Sequence, residues 1–209
     1  TIEGFLFADG TTLTTEDIRD RLLEGTDGDD LLIGFEGRSD DLDGGAGSDA
    51  MEGGTGDDTY NWGYGDGPDS VRDTGGIDTI AFKPGITLAD LSFAEVGTDI
   101  VLTLDRTNET LVILQVASQD SADWIENFTF DNGDELTLEQ VRSLILQAQS
   151  NGGMDLIDAS DLDTGLPLIP GPGFDSVLMG SDTRVVFGKG DGIDRITPPD
   201  TIGTAEIYF

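Results

Sequence analysis

The chain has 209 residues, of which 43 are acidic, 10 are basic and 30 are glycine, and its formal net charge at pH 7 is −33. A field of this sign repels phosphate backbones and anionic lipid, so we expect neither a nucleic-acid partner nor a membrane-surface role. Because the chain has no Cys and no His, disulfides, Cys/His zinc sites and catalytic sets that use imidazole or thiolate are excluded.

The first residues lack the features of a targeting segment. They read Thr1-Ile2-Glu3-Gly4 instead of a start Met followed by a charged and then an apolar region,. No apolar run of about 18 residues occurs in the chain, so membrane insertion is not expected. We interpret the sequence as a piece excised from a longer protein.

The opening block, residues 2–10, is repeated at residues 125–133. In both copies a threonine placed as a helix N-cap follows, Thr14 and Thr137, and Gln140 completes a capping box in the second copy. This pattern predicts two short helices. We expect the phenylalanines of the two blocks to lie in the core: Phe5, Phe7, Phe128 and Phe130.

Residues 25–78 contain a regular series of aspartates, each two residues before an apolar residue and nine to eleven residues after the previous one. The series consists of Asp30, Asp40, Asp49, Asp58, Asp69 and Asp78. Two repeats, residues 44–52 and 53–61, fit G-G-x-G-x-D-x-U-x, which is the signature of a nonapeptide β-helix.

The spacing predicts a coil of parallel strands. Two nonapeptides close one turn, so each repeat lies above the next but one, about 4.8 Å away. The predicted neighbours are Asp30–Asp49, Asp40–Asp58, Asp49–Asp69 and Asp58–Asp78. Stacked turns offer the hard oxygens that Ca²⁺ prefers, and we expect the aspartates to be joined as ligands by the carbonyls of Gly25, Gly44, Ala46, Gly53 and Thr55. The apolar residues of the repeats are expected to fill the narrow core.

The pattern changes after Phe82. Alternating apolar residues at 91–93, 100–104 and 111–113, around a polar connection at 105–109, predict antiparallel β-strands. The repeat of the opening block then starts a second unit, residues 125–209, whose aspartate series is eroded. In that unit only Asp175 and Asp194 remain as a predicted ligand pair.

Residues 25–61 resemble the calcium-binding repeats of RTX (repeats-in-toxin) proteins, and residues 76–80, 85–91 and 125–130 resemble the haemolysin-type calcium-binding related domain. The resemblance implies an all-β fold, with a parallel β-roll at about 25–82 joined to a β-rich, sheet- or barrel-like part at 83–124. These two parts and the short helix before them form the first unit, residues 1–124. The second unit is truncated and degenerate. The resemblance also implies type I secretion to the extracellular space or bacterial cell surface.

We therefore expect a non-catalytic structural module that binds several Ca²⁺ ions, folds and stiffens outside the cell, and serves adhesion or biofilm formation. Its expected partners are neighbouring repeats of the same chain and a polysaccharide or another cell surface. Two alternatives remain: a calcium-dependent glycan- or exopolysaccharide-binding module, and the non-catalytic C-terminal region of a secreted RTX enzyme or toxin. A salt-adapted acidic surface would explain the acid count without calcium.

The aromatic residues Tyr60, Trp62 and Tyr64 bear on the glycan-binding alternative. They could form a sugar-stacking platform beside calcium, but packing in the core and at the coil end is the favoured interpretation. No nucleophile or zinc-protease motif is present, so we expect no enzymatic activity.

Overall fold

The protein is described here from a computed structural model. The structure describes residues 4–114 and 125–149 together with six later strands, at 156–159, 167–168, 176–179, 184–186, 195–197 and 206–208. These residues are mostly in β-strands, with two short α-helices. Neither helix combines the length and the apolar character needed to cross a bilayer.

The chain begins with a hairpin and a helix. Strands β1 (Gly4–Leu6) and β2 (Thr12–Thr14) pair antiparallel, and α1 (Thr15–Leu22) follows. Thr14 caps the helix: its Oγ1 accepts from the Asp17 N–H at 3.1 Å, and the Asp17 carboxylate accepts from the Thr14 N–H at 2.6 Å. The predicted N-cap is confirmed. In contrast, the prediction of a core position is wrong for Phe5 and Phe7, which are 47% and 49% exposed.

Seven short strands follow, separated by glycine-rich turns. They are β3 (Glu24–Thr26), β4 (Leu31–Ile33), β5 (Asp41–Gly45), β6 (Ala50–Glu52), β7 (Thr59–Trp62), β8 (Asp69–Arg72) and β9 (Asp78–Phe82). Consecutive strands alternate between two sheets, and each strand pairs in parallel with the next but one. The predicted parallel pairing is therefore present in residues 24–82.

The apolar residues of the repeats form two columns between these sheets. Within each column the side chains follow the strand register, and all are at most 5% exposed. The columns are Leu32, Met51, Val71 and Ile113 in one sheet and Leu42, Tyr60, Ile80 and Phe128 in the other. One apolar residue per repeat thus builds the core, as the sequence predicts.

The antiparallel extension then begins. A 3-10 turn (Leu88–Asp90) leads into β10 (Leu91–Val96), β11 (Asp99–Leu104) and β12 (Thr110–Ile113), which pair antiparallel as predicted. The last of these pairs in parallel with β8. One sheet therefore has the order β10-β11-β12-β8-β6-β4, and the extension continues a sheet of the coil.

The other sheet is continued by β13 (Ile125–Thr129), which pairs in parallel with β9. With β14 (Glu135–Thr137) at its edge, this sheet has the order β14-β13-β9-β7-β5-β3. The chain packs as two compact units, Thr1–Glu135 and Leu136–Phe209. The sequence repeat predicted a boundary after residue 124, whereas the packing boundary falls later because β13 belongs to the sheet of the first unit.

The second unit starts with α2 (Leu138–Gln149), the second predicted helix. Thr137 accepts from the Gln140 N–H at 3.3 Å and donates its own N–H to the Gln140 side chain at 2.9 Å, which confirms the predicted capping box. The strands described after α2 are six, in two parallel sheets with orders β15-β17-β19 and β16-β18-β20. They are β15 (Leu156–Ala159), β16 (Pro167–Leu168), β17 (Ser176–Met179), β18 (Arg184–Val186), β19 (Arg195–Thr197) and β20 (Glu206–Tyr208).

Candidate metal centre

The predicted aspartates form two stacked columns, each at the start of the strands of one sheet. We call Asp30, Asp49 and Asp69 the first ladder, and Asp40, Asp58 and Asp78 the second ladder. In both, the backbone N–H of one aspartate donates to the carboxylate of the aspartate one coil later. All four predicted neighbour pairs are confirmed by these N···O distances of 2.8 Å, whereas calcium ligation by the pairs remains a prediction.

Each carboxylate has two oxygens, and the hydrogen bond from the aspartate N–H of the preceding coil uses only Oδ1. In three members, Asp49, Asp58 and Asp78, the second oxygen is buried and has no hydrogen-bond partner among the described residues. These residues are at most 2% exposed. A buried carboxylate oxygen without a donor is costly, and a bound cation would remove that cost. The orphaned oxygens therefore fit a cation site built from hard oxygen ligands.

Glycines make room for two of these oxygens. A Cβ at Gly44 would lie 2.5 Å from Asp49 Oδ2, and a Cβ at Gly53 would lie 2.3 Å from Asp58 Oδ2. Any side chain at either position would push the carboxylate away. The first glycine of the repeat thus has a steric function beside the aspartate of the same repeat.

The structure brings together a further group that the sequence analysis missed. One carboxylate oxygen from each of Asp58, Asp73 and Asp78 lies within 4.8 Å of the others, and all three residues are buried. Asp73 Oδ1 accepts from the Gly75 N–H at 2.7 Å, and its Oδ2 accepts from the Tyr60 hydroxyl at 2.5 Å. Tyr60 Oη in turn accepts from the Gly53 N–H at 2.8 Å. We call Asp58, Asp73 and Asp78 the carboxylate cluster.

Asp73 could have been found from the repeat phase. Residues 73–78 align with residues 53–58, so Asp73 occupies the position of the first glycine, Gly53. In the earlier repeat Gly53 lies against the carboxylate of Asp58. An aspartate at this repeat position therefore adds a carboxylate beside the buried ladder aspartates. The repeat signature places an aspartate only at the sixth position of each repeat, so it does not predict Asp73 as a ligand.

Burial also changes the acidity of the ladder. It raises the pKa of Asp58 and of Asp69 to about 6, with the nearby Asp73 adding to the rise at Asp58. Burial and the contact with Asp73 raise the pKa of Asp78 to about 8, and burial raises that of Asp49. Without a cation, these groups favour the protonated form at pH values where an exposed aspartate is ionised.

At other places the protein supplies its own cations. Arg38 Nε lies 3.7 Å from Asp40 Oδ1, and the Phe35 N–H donates to the other Asp40 oxygen. Lys83 Nζ lies 2.7 Å from Asp43 and 2.8 Å from Asp66. Within the part of the chain that the structure describes, the second ladder therefore has an ion pair at Asp40 and none in the carboxylate cluster.

The predicted carbonyl ligands fall into two groups. Gly44 and Gly53 lie against the ladder carboxylates, and a Cβ at Gly25 would lie 1.9 Å from the Gly44 carbonyl oxygen. Ala46 donates its N–H to the Thr26 carbonyl at 3.1 Å, and Thr55 Oγ1 donates to Glu36 at 2.9 Å. The last two contact neighbouring coils, and their ligand role remains a prediction.

Two predicted ligands lie outside the described residues, Asp175 and Asp194. The residues that follow them, Ser176 and Arg195, are paired in parallel between β17 and β19. In the first unit Ala50 and Ser70, which follow Asp49 and Asp69, are paired in the same way.

The aromatic residues are placed as the packing interpretation predicts. Tyr60 and Trp62 have no exposed surface, and the Arg106 guanidinium lies 4.8 Å from the ring centroid of Tyr64. A sugar-stacking platform made from these rings is therefore not available in this conformation.

Comparison with solved structures gave several similarities. The extracellular lipase LipA from Serratia marcescens matches with a TM-score of 0.23 and 18% sequence identity, over 88% of this chain and 28% of the lipase. The chain thus spans less than a third of that lipase. No protein-family model and no curated protein matches the sequence.

Proposed function

We propose that this chain is a calcium-binding structural module of an RTX-type secreted protein and that residues 24–82 are a parallel β-roll stabilised by calcium. The observation that carries the proposal is the set of buried, unpartnered oxygens on Asp49, Asp58 and Asp78. Their neighbours are carboxylates and backbone groups, and such all-oxygen donor sets suit Ca²⁺.

The residues that would hold calcium are the ladder carboxylates, with Asp73 as an added ligand in the carboxylate cluster. Bound calcium supplies positive charge to a region where buried carboxylates stand beside each other. Gly44 and Gly53 leave room for the carboxylates of Asp49 and Asp58. The hydroxyl of Tyr60 orients Asp73. The chain's own part is to hold these oxygens in register from coil to coil.

The expected energetic effect is large enough to switch folding. Extracellular calcium modules have Kd values of about 0.1–1 mM, so one site at the tight end adds about 1.4 kcal/mol at about 1 mM Ca²⁺. Several such sites would supply a substantial part of a domain's stability, which is about 5–15 kcal/mol. The module therefore stays loose at low cytosolic calcium and folds outside the cell.

Within this proposal the module is not an enzyme, and it serves adhesion or biofilm formation in its parent protein. The net charge of −33 and the absence of imidazole and thiol groups favour a structural role over catalysis. Its localisation is extracellular or at the bacterial cell surface, where calcium is available to the ladders.

The test is a calcium titration of metal-stripped protein followed by far-UV circular dichroism, with Mg²⁺ and NaCl as parallel titrants. The proposal expects a cooperative gain of β signal with Ca²⁺ near millimolar concentration and a much weaker response to the other two salts. An equal response to NaCl would mean that plain charge screening folds the chain, and the proposal would then be rejected.

A further inference from the structure

Lys83 lies directly after β9, and its ammonium group is held by carboxylates of two earlier coils. Its Nζ donates to Asp43 Oδ1 at 2.7 Å and to Asp66 Oδ1 at 2.9 Å, and Asp66 Oδ2 lies 2.8 Å from the same nitrogen. Three carboxylate oxygens therefore surround one positively charged atom. Hard oxygens of this kind are also the ligands that a calcium ion takes.

The contact is partly buried. Asp66 is 7% exposed, and burial raises the pKa of its carboxyl group, whereas the Lys83 ammonium opposes that rise. Desolvation works against the charge of Lys83, but hydrogen bonds to Asp43 and Asp66 raise its pKa above the ordinary value. Lys83 is therefore a cation that compensates buried negative charge of the coil.

The path of the Lys83 side chain depends on a glycine. The Lys83 N–H donates to the Trp62 carbonyl at 2.9 Å, so that Lys83 lies beside Gly63 of the preceding coil. A Cβ at Gly63 would lie 2.6 Å from the Lys83 Cβ and 3.1 Å from its Cδ. Gly63 is not among the glycines with a positive φ, so its backbone conformation does not require glycine. The absent side chain instead leaves room for the lysine to reach Asp43.

This ion pair lies at the end of the first ladder. Asp66 belongs to the turn that leads into Asp69, and its carbonyl accepts from the Gly47 N–H of the preceding coil at 2.7 Å. The next strand in this sheet is β12, which places Leu111 opposite Asp69. Burial raises the pKa of Asp69, and the charge of Lys83 counteracts part of the rise. The positive charge of Lys83 thus acts on the last aspartate of the first ladder.

The end of the second ladder is different. Its carboxylate cluster contains two buried oxygens without a partner among the described residues, on Asp58 and Asp78. In contrast, both oxygens of Asp66 are in contact with Lys83, and Oδ2 also accepts from the Gly63 N–H at 2.7 Å. The two ends therefore differ in whether the chain itself supplies the positive charge.

We propose that the Lys83 ammonium occupies a cation site formed by Asp43 and Asp66 and takes the place of a calcium ion there. The inference rests on the proposed function in one respect, because it takes calcium to be the cation of the other sites. Calcium lies about 2.3–2.6 Å from its ligands, so the oxygens around Nζ need to move inward by only a few tenths of an ångström to hold an ion. The lysine makes this end of the coil independent of calcium.

Lys83→Ala tests the inference, because it removes the ammonium and leaves both carboxylates in place. At saturating calcium, we expect the variant to bind one more calcium ion per chain than wild type, counted by equilibrium dialysis and atomic emission. Crystals of the loaded variant should show an anomalous peak between Asp43 and Asp66 that wild-type crystals lack. After metal stripping, the variant should unfold at a lower temperature than wild type.

Three further variants sharpen the test. Arg106→Ala also removes a positive charge, but from an exposed ion pair of the extension, and its calcium count should equal that of wild type. Asp43→Asn/Asp66→Asn in the Lys83→Ala background keeps acceptor oxygens without the charges and should lose the extra ion. Lys83→Met keeps an apolar side chain without the ammonium, and after stripping it should also unfold at a lower temperature than wild type.

The measurements separate this inference from the proposed function. A wild-type chain that binds no calcium would reject the proposed function, whereas the inference is tested by the difference between the Lys83→Ala and wild-type proteins. Equal calcium counts in these two proteins at saturation would overturn it, as would an extra ion that persists in the triple variant. A stripped Lys83→Met protein as stable as wild type would also overturn it, because the stabilisation would then come from packing and not from charge.

Discussion

The coil, residues 24–82, and the antiparallel extension, residues 91–113, share one of the coil's two sheets but are stabilised in different ways. All seven buried aspartates among the described residues lie between Asp40 and Asp78, and the buried residues of the extension are apolar. The charges of the extension are at its surface, where Arg106 lies 3.3 Å from Asp90. The extension therefore buries no charged side chain, whereas the coil buries negative charge that side-chain cations of the described residues compensate only in part.

The largest expected effect concerns pH in metal-stripped protein. The folded coil retains protons on Asp58 and Asp69 up to about pH 6 and on Asp78 up to about pH 8, whereas the unfolded chain releases them near 3.8. The free energy of unfolding should therefore fall as the pH rises from about 4 to about 8, by several kcal/mol since one pKa unit is about 1.4 kcal/mol.

Thermal unfolding at pH 5, 6.5 and 8 measures this effect. The calcium-loaded protein serves as the control, and its stability should vary less because the carboxylates are compensated. A stripped protein whose stability is constant or rises between pH 5 and 8 would contradict the account.

The next largest effect is expected in Asp58→Asn, whose change in stability should have opposite signs with and without calcium. Asp58→Asn keeps an oxygen to accept from the Asp40 N–H but removes a buried charge. We expect it to lower stability with calcium by about 1–3 kcal/mol, because a charged ligand is lost, and to raise stability after stripping. Denaturant unfolding in both conditions measures the two shifts.

Asp57→Asn is the matched control, since it removes the same charge from the adjacent, exposed residue. It should change both states by similar, small amounts. If Asp58→Asn moved the stripped and loaded proteins in the same direction, the carboxylate cluster would not be a cation site.

A smaller effect is expected at Gly53, which leaves room for the carboxylate of Asp58. In Gly53→Ala the new Cβ would lie 2.3 Å from both Asp58 Oδ2 and Tyr60 Oη, so we expect weaker calcium binding and a loss of about 1–3 kcal/mol. Gly28→Ala is the control, because its Cβ meets only Thr26 Oγ1 at 3.9 Å. Calorimetric titrations should show a lower calcium affinity for Gly53→Ala than for Gly28→Ala. Equal affinities would show that the space at Gly53 does not matter for calcium binding.

The smallest effect is expected in the extension. Arg106→Ala removes an exposed ion pair with Asp90 and the contact with the Tyr64 ring. Such surface pairs contribute about 0–1 kcal/mol, and the loss should be the same with and without calcium. A calcium-dependent loss, measured by denaturant unfolding, would show that the extension is coupled to the ladders.

The sequence predicted the ladder register because spacing alone determines which repeats stack in a parallel coil. It also predicted both helix caps and the antiparallel hairpins. The pairing of β12 with β8 was not predictable, since it joins segments about 40 residues apart with no pattern in common. The exposure of Phe5 and Phe7 was not predictable from the repeat, because their counterparts Phe128 and Phe130 are buried where β13 pairs with β9 and Phe130 stacks on Phe82.

Calcium binding by the ladders should be visible first at the unpartnered oxygens of Asp49, Asp58 and Asp78. The most direct measurement is a crystal structure of the calcium-loaded chain with anomalous diffraction that locates the ions. If the ladders bind calcium, we expect ordered anomalous peaks beside Oδ2 of these aspartates and a peak in contact with Asp73. Ordered ladders in a calcium-saturated crystal with no peak at any of these oxygens would contradict it.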